Sequence, residues 1–251
     1  MSVLATDIII YASASMPEDD VTTSGGAIDT TCKLLFTDIA ATDTVKLQST
    51  SAGDTMNVTI TGRDNSGAIV SEVKALTGVT LTTATTQTFE RILKIVCAST
   101  PAGTVTVTRT TGGTTIATIE GASGITSVRR LYYNSSADAS GGATRNYYEK
   151  GFIKNTNATF ALLSATVAQQ SDPTGLVSFD LESAVSGTNS VANRLAAPSG
   201  MLGTFDDSTK NVPGTNLAAG IAIGIWFKLI LAAGASAAKS TYTVRTAGTT
   251  T

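Results

Sequence analysis

Between Gly220 and Leu231 the sequence reads GIAIGIWFKLIL, and Ile221, Ile223, Ile225, Phe227, Leu229 and Leu231 recur at every second position without a break. Side chains alternate across a strand, so this spacing gathers the large apolar groups on one face, whereas a helix would scatter them round its circumference. Gly220 and Gly224 also form the GxxxG spacing that lets membrane helices approach closely. Lys228 falls inside the run, where insertion at a bilayer centre costs roughly 2.5–3.5 kcal/mol. The stretch therefore reads as a long buried strand with Ala222, Gly224, Trp226 and Lys228 on its reverse face. Trp226 is placed either under a loop or against a neighbouring subunit. Such a strand needs partners, and the rest of the chain has to supply them.

Threonine is the commonest residue, and with Val and Ile it dominates the chain, a composition that favours extended pleated structure. From about residue 30 to 120, short alternating stretches are separated by turn signals, the spacing expected of a sandwich. In MNVTITGRDNSGAIVSEVKAL the apolar Met56, Val58 and Ile60 alternate with Asn57, Thr59 and Thr61, and the chain returns after a polar turn: a hairpin. TVTVTRTTGGTTIATIE repeats the design with Gly112 and Gly113 at the reversal. Further strands are expected at Arg129–Asn134, Tyr147–Asn155, Thr159–Gln169, Leu176–Glu182 and Thr241–Thr246, with Asp172–Gly175 a turn. A long loop, residues 184–215, carries Pro198, Gly200, Gly203, Pro213 and Gly214, and loops of that length usually serve as contact surfaces. The expected organisation is all-β. Residues 1–28 form an extended N-terminal arm and first strand, 29–123 an Ig-like β-sandwich, and 124–251 a second β-sandwich in tandem with it.

Several classes of chemistry are closed by composition. The chain has no histidine, which removes imidazole-activated nucleophiles, imidazole proton shuttles and the common catalytic zinc sites. Charged residues make up 14% and the formal net charge is −2, so no basic field is available to collect free nucleic acid. No phosphate-binding glycine loop or dinucleotide fingerprint is present. Asp64 with Asn65, and Asp206 with Asp207, lack the alternating oxygen ligands of a calcium loop and read as turn residues. No catalytic residue, cofactor, metal, small-molecule substrate or membrane partner is expected. The N-terminus has no cationic region, and its apolar run Ile8–Ile10 is too short for a signal peptide. Cys32 and Cys97 lack the tryptophan and tyrosine that accompany an antibody-type disulfide and read as buried thiols.

What remains are features suited to contact. MPEDDVTTSGGAID sets Glu18, Asp19 and Asp20 between Pro17 and a glycine pair. With no second acidic cluster to converge on them, these acids read as solvated charge or as a contact to basic residues on a neighbour. The pairs Tyr132–Tyr133 and Tyr147–Tyr148 are expected to place one ring in the core and one outside, because adjacent strand residues face opposite ways. Pro17, Glu18, Asp19, Asp20, Tyr132, Tyr147 and Trp226 are therefore the expected interface residues.

Three stretches, PEDDVTTSGGAIDTTCKLLFTDI, VTITGRDNSGAIVSEVKALTG followed by QTFERILKI, and LAAGIAIGIWFKLILAAGASAAKSTYTVRTAG, together resemble virion structural proteins of tailed bacteriophages built from Ig-like or related β-sandwich modules. The resemblance implies a non-enzymatic subunit, assembled in the bacterial cytoplasm into the virion and present in many symmetric copies. Its implied partners are other virion proteins, such as the major capsid protein or tail proteins, and copies of itself. Capsid decoration, as a cement subunit stabilising the head, is the leading expectation. A tail or head-to-tail connector component is the alternative within that class, and a carbohydrate-binding or adhesin module is the alternative outside it.

Overall fold

A computed structural model of the chain describes residues 2–34, 37–131, 142–235 and 241–250. Among the described residues the protein is all-β, with one short 3₁₀ turn at Ala5–Asp7 as its only helical element. In chain order the strands are β1 (Ile8–Ser15), β2 (Ser24–Lys33), β3 (Val45–Ser49), β4 (Asn57–Arg63), β5 (Ile69–Ala75), β6 (Arg91–Cys97), β7 (Val105–Arg109) and β8 (Thr115–Ile119). They continue with β9 (Ser127–Arg129), β10 (Arg145–Asn155), β11 (Leu163–Ser171), β12 (Val177–Val185), β13 (Ser190–Val191), β14 (Lys210–Asn211), β15 (Ala222–Leu231) and β16 (Thr243–Thr249).

The chain divides into two compact units, one made of residues 1–29 and 134–251, the other of residues 30–133. This differs from the expected tandem order. The first unit takes both ends of the chain, and the second is inserted between them. The division falls within β2, and the expected junction near residue 123 lies inside the inserted unit. The reason is strand pairing. β1 is hydrogen-bonded antiparallel to β10, with Ile8 opposite Asn155 and Ala12 opposite Gly151, and it buries Tyr11, Ala12 and Ser13. Residues 8–15 are therefore a sheet strand and not part of a free arm.

In the first unit one sheet runs β12-β15-β10-β1, with the start of β2 beside β1 and β13 paired on it, and a second runs β14-β11-β16. β15 is the long strand expected from its period of two, and Ile223, Ile225, Phe227, Leu229 and Leu231 are buried along one face. Tyr242 meets the edge of Phe227 at 5.7 Å between ring centroids. β16 pairs with β11 and not with β15, so it completes the second sheet. β10 lies between β1 and β15 and is buried on both faces. Tyr147 and Tyr148 are accordingly both buried, contrary to the one-in, one-out expectation. Tyr132 and Tyr133 lie outside the described residues.

In the inserted unit one sheet runs β9-β6-β4-β5, with the end of β2 parallel to β9, and a second runs β3-β7-β8. Alternate residues fill its interior: Val58 and Ile60 on β4, Val45 and Leu47 on β3, Val105 and Val107 on β7. The hairpin turns fall where expected. Asp64 accepts hydrogen bonds from the Ser66 and Ala68 amides at 2.8 and 3.0 Å, and Gly112 and Gly113 both adopt positive φ between β7 and β8, a conformation glycine takes without steric cost. Cys32 and Cys97 are buried free thiols, and burial pushes the Cys97 thiol up to about 12.

Candidate functional site

The residues with most chemical potential gather on one face of the first unit, beneath the long loop. Strand alternation sets Tyr148, Lys150 and Phe152 of β10, Gly224 and Trp226 of β15, and Asp180 and Glu182 of β12 on a common side, since Lys150 pairs with Trp226 and Trp226 with Asp180. The chain after β12 crosses this face and returns. On the way out, the Gly187 and Asn189 carbonyls lie over Lys150, and β13 then pairs with Ser24 and Gly25. On the way back, Ala196, Met201 and Phe205 pack against the cluster of Tyr148, Val191 and Trp226. The loop finally runs beside β12, through bridges at Glu182–Met201 and Phe179–Asp206. A strand edge that would otherwise be open is thereby covered.

Beneath the loop, the Lys150 ammonium donates to the carbonyls of Gly26, Gly187 and Asn189 at 2.9, 3.2 and 3.1 Å. It also lies 2.6 Å from Glu182 Oε1, which accepts the Trp226 indole N–H at 3.2 Å. All three side chains are essentially inaccessible. Burial lowers the lysine's affinity for its proton, opposed by the hydrogen bond and charge of Glu182. Glu182 Oε2 lies against Gly187 and Gly224, where a β-carbon would collide with it. A β-carbon on Gly25 would come within 2.9 Å of the Trp226 ring. The glycines make room for a large indole and a carboxylate under one loop.

Two further anchors flank this staple. Asp20 Oδ1 accepts the Arg194 Nε–H at 2.7 Å, its other oxygen lies 3.6 Å from Arg145, and the Arg194 guanidinium sits 4.6 Å from the centre of the Tyr147 ring. At the far end of the loop Lys210 donates to the Thr204 carbonyl at 2.8 Å and to Asp206 at 2.7 Å. That bond and the donors of Ser208 hold the Asp206 carboxyl well below the usual range. A cleft of about 190 Å³ adjoins Asp172, Val177, Asp206 and Asp207. Asp172 is engaged in its turn, accepting the Thr174 and Val177 amides at 3.0 and 2.8 Å.

The expected interface residues thus divide. Asp20, Tyr147 and Trp226 are committed within the subunit, and Trp226 takes the under-the-loop alternative, fully buried. Asp19 organises its own turn, accepting the Val21 and Thr22 amides at 2.8 and 2.6 Å. Pro17 and Glu18 are half-buried on the same segment. Tyr132 lies outside the described residues. Sequence reasoning missed Lys150, Glu182 and Arg194. Lys150 carried a signal, as a lysine amid Tyr147–Ile153 on a strand that alternation alone would have buried.

An ammonium surrounded by three carbonyls and a carboxylate has its protons directed to acceptors and offers no lone pair to a substrate. The arrangement holds backbone in place. Among the described residues no group of three or more Cys, Asp and Glu side chains is placed to hold a metal ion, and no helix is long and apolar enough to cross a membrane. Comparison with protein-family models, with curated proteins and with solved structures found no match to this chain.

Proposed function

We propose that this chain is a non-enzymatic structural subunit of a tailed-bacteriophage particle, and that it decorates the head as a cement protein. The observation that carries the proposal is the long loop, which is fixed from beneath by Lys150, Glu182, Trp226 and Arg194. A loop held by buried charge presents one conformation, so little conformational entropy is lost when it meets a partner. Val185, Leu195 and Leu202 are exposed along it, and Val21, the most exposed of the described large apolar side chains at 83%, lies next to the Asp20 that binds Arg194. Weak apolar contacts of this kind become strong when repeated over a symmetric lattice. The adhesin alternative has lost part of its support, since the Tyr147 and Tyr148 rings that would stack on a sugar are buried.

The test is to raise antibody against the recombinant chain and apply it to purified particles from the host that carries the gene. Labelling distributed over the head shell is the expected result, while labelling confined to the neck or tail would move the assignment to a connector or tail component. Absence of the protein from purified particles would end the virion reading.

A further inference from the structure

β5 ends its sheet, pairing with β4 on one side and with no described strand on the other. It is an unusually bare edge: Ile69 and Val73 are 55% and 57% exposed, and Ser71 and Ala75 on the same face are also exposed. The backbone direction follows from the ladder's two ends, where the Asp64 amide donates to the Ala68 carbonyl and the Leu76 amide to the Met56 carbonyl, each at 3.0 Å. In an antiparallel pair hydrogen-bonded and non-bonded positions alternate. Val70, Glu72 and Lys74 therefore turn their amides and carbonyls to β4, and Ile69, Ser71, Val73 and Ala75 turn theirs outward. No segment outside the ladder donates to or accepts from these four backbones among the described residues.

We propose that this edge pairs with β5 of a second copy of the chain, antiparallel, about a two-fold axis through Val73. Charge selects that register. With the axis at Val73, Glu72 of each copy lies opposite Lys74 of the other, at the close, non-bonded positions of the ladder. Moving the axis one residue back sets Glu72 against its own twin, and one residue forward does the same to Lys74. An axis between two residues would oppose an outward backbone to an inward one. In the Val73 register Ser71 meets Ala75, Val73 meets its twin and Ala75 meets Ser71, giving about six backbone hydrogen bonds. A two-fold interface of this kind is closed and self-complementary. Glu72 and Lys74 are already aligned within each copy, Glu72 by the Thr86 and Gln87 amides at 2.7 Å, Lys74 by Thr83 and the Ala84 carbonyl at 2.9 and 3.0 Å.

The proposal concerns the isolated chain and does not rest on the particle assignment. Sedimentation velocity of the full chain over a concentration series tests it, with a monomer–dimer equilibrium expected. Val73→Pro removes only an outward N–H, which an edge strand tolerates; it is expected to weaken dimerisation by at least about tenfold with the melting temperature nearly unchanged. In a Val73→Cys variant the paired α-carbons would be about 5.5 Å apart, within disulfide reach, so mild oxidation should give a covalent dimer. Cys32 and Cys97 are buried and do not compete. A wild-type chain that stays monomeric, or a dimer that survives Val73→Pro and leaves Val73→Cys uncrosslinked, would overturn the proposal.

Discussion

The Lys150–Glu182 pair shows why a buried charge is visible to physics before it is visible to pattern. Each group alone would be far too costly to bury; together the Lys150 ammonium is met by three carbonyls and Glu182 Oε1, and that oxygen also accepts the indole N–H, while Glu182 Oε2 is buried without a hydrogen-bond donor among the described residues. Removing one partner strands the other. Lys150→Met should therefore destabilise the first unit by about 3–5 kcal/mol, and pairing it with Glu182→Leu should recover part of that loss. Chemical denaturation of the three proteins measures both effects. Gly224 is buried, and Gly224→Ala drives a methyl group into the Glu182 carboxylate and should lower the melting temperature. Asp206 gives a pH signature. Its folded-state carboxyl is depressed, first by Lys210 and then by Ser208, so its stabilisation is present above the ordinary carboxylate pKa of about 3.9 and is lost as pH falls through the lower folded value. The wild type should lose stability steadily below about pH 4, and Asp206→Asn should show a shallower decline there from a lower starting point.

At the scale of elements, a period of two was readable wherever one sheet face is apolar. β4, β7 and β15 are examples, and their turns were readable from Asp64, Gly112 and Gly113. Strands buried on both faces were less legible: β1 was not read as a strand, and β10, expected as a strand at Tyr147–Asn155, was expected to keep one face open. β1 reads IIIYASAS, in which three consecutive isoleucines and then small residues hide the alternation; Tyr11, Ala12 and Ser13 are buried in succession, and a stretch covered on both faces needs no polar face. β10 carries Glu149 and Lys150 through a strand buried on both faces, so charge masked what partners across the sheet make possible. The acidic stretch was misjudged for a related reason: Arg194, Asp20's partner, is 174 positions away in sequence. These placements yield a prediction opposite to that for a detachable arm. Deleting residues 1–20 removes β1, exposes the β10 edge from Gly151 to Asn155 and takes away the Arg194 counter-ion. The truncated protein should be insoluble or lose the cooperative melt of the first unit, whereas an arm would have left the melt intact.

The organisation of the whole molecule was the least legible, because nothing local in a sequence says that its beginning pairs with its middle. The spacing of strands fixed the fold class, yet a junction near residue 123 and a tandem order were the natural reading of a chain scanned from end to end. Antiparallel pairing of Ile8–Ala12 with Gly151–Asn155 brings the two ends into one unit, and the inserted unit is left as a single continuous segment. Its ladders close among residues 30–133: the end of β2 pairs with β9 through Cys32 and Ser127, β9 with β6, β6 with β4 and β4 with β5. Continuity has a thermodynamic consequence, since a segment that contains all its own strand partners and core can fold without the rest. Residues 30–133 expressed alone should give a soluble protein with a cooperative unfolding transition, detected by circular dichroism and amide-exchange protection of β4 and β6. Residues 134–251 alone lack β1 and Asp20 and should show neither. If instead the second fragment folded and the first did not, the pairing of β1 with β10 would not be what holds the first unit together, and residues 1–29 would be dispensable to it.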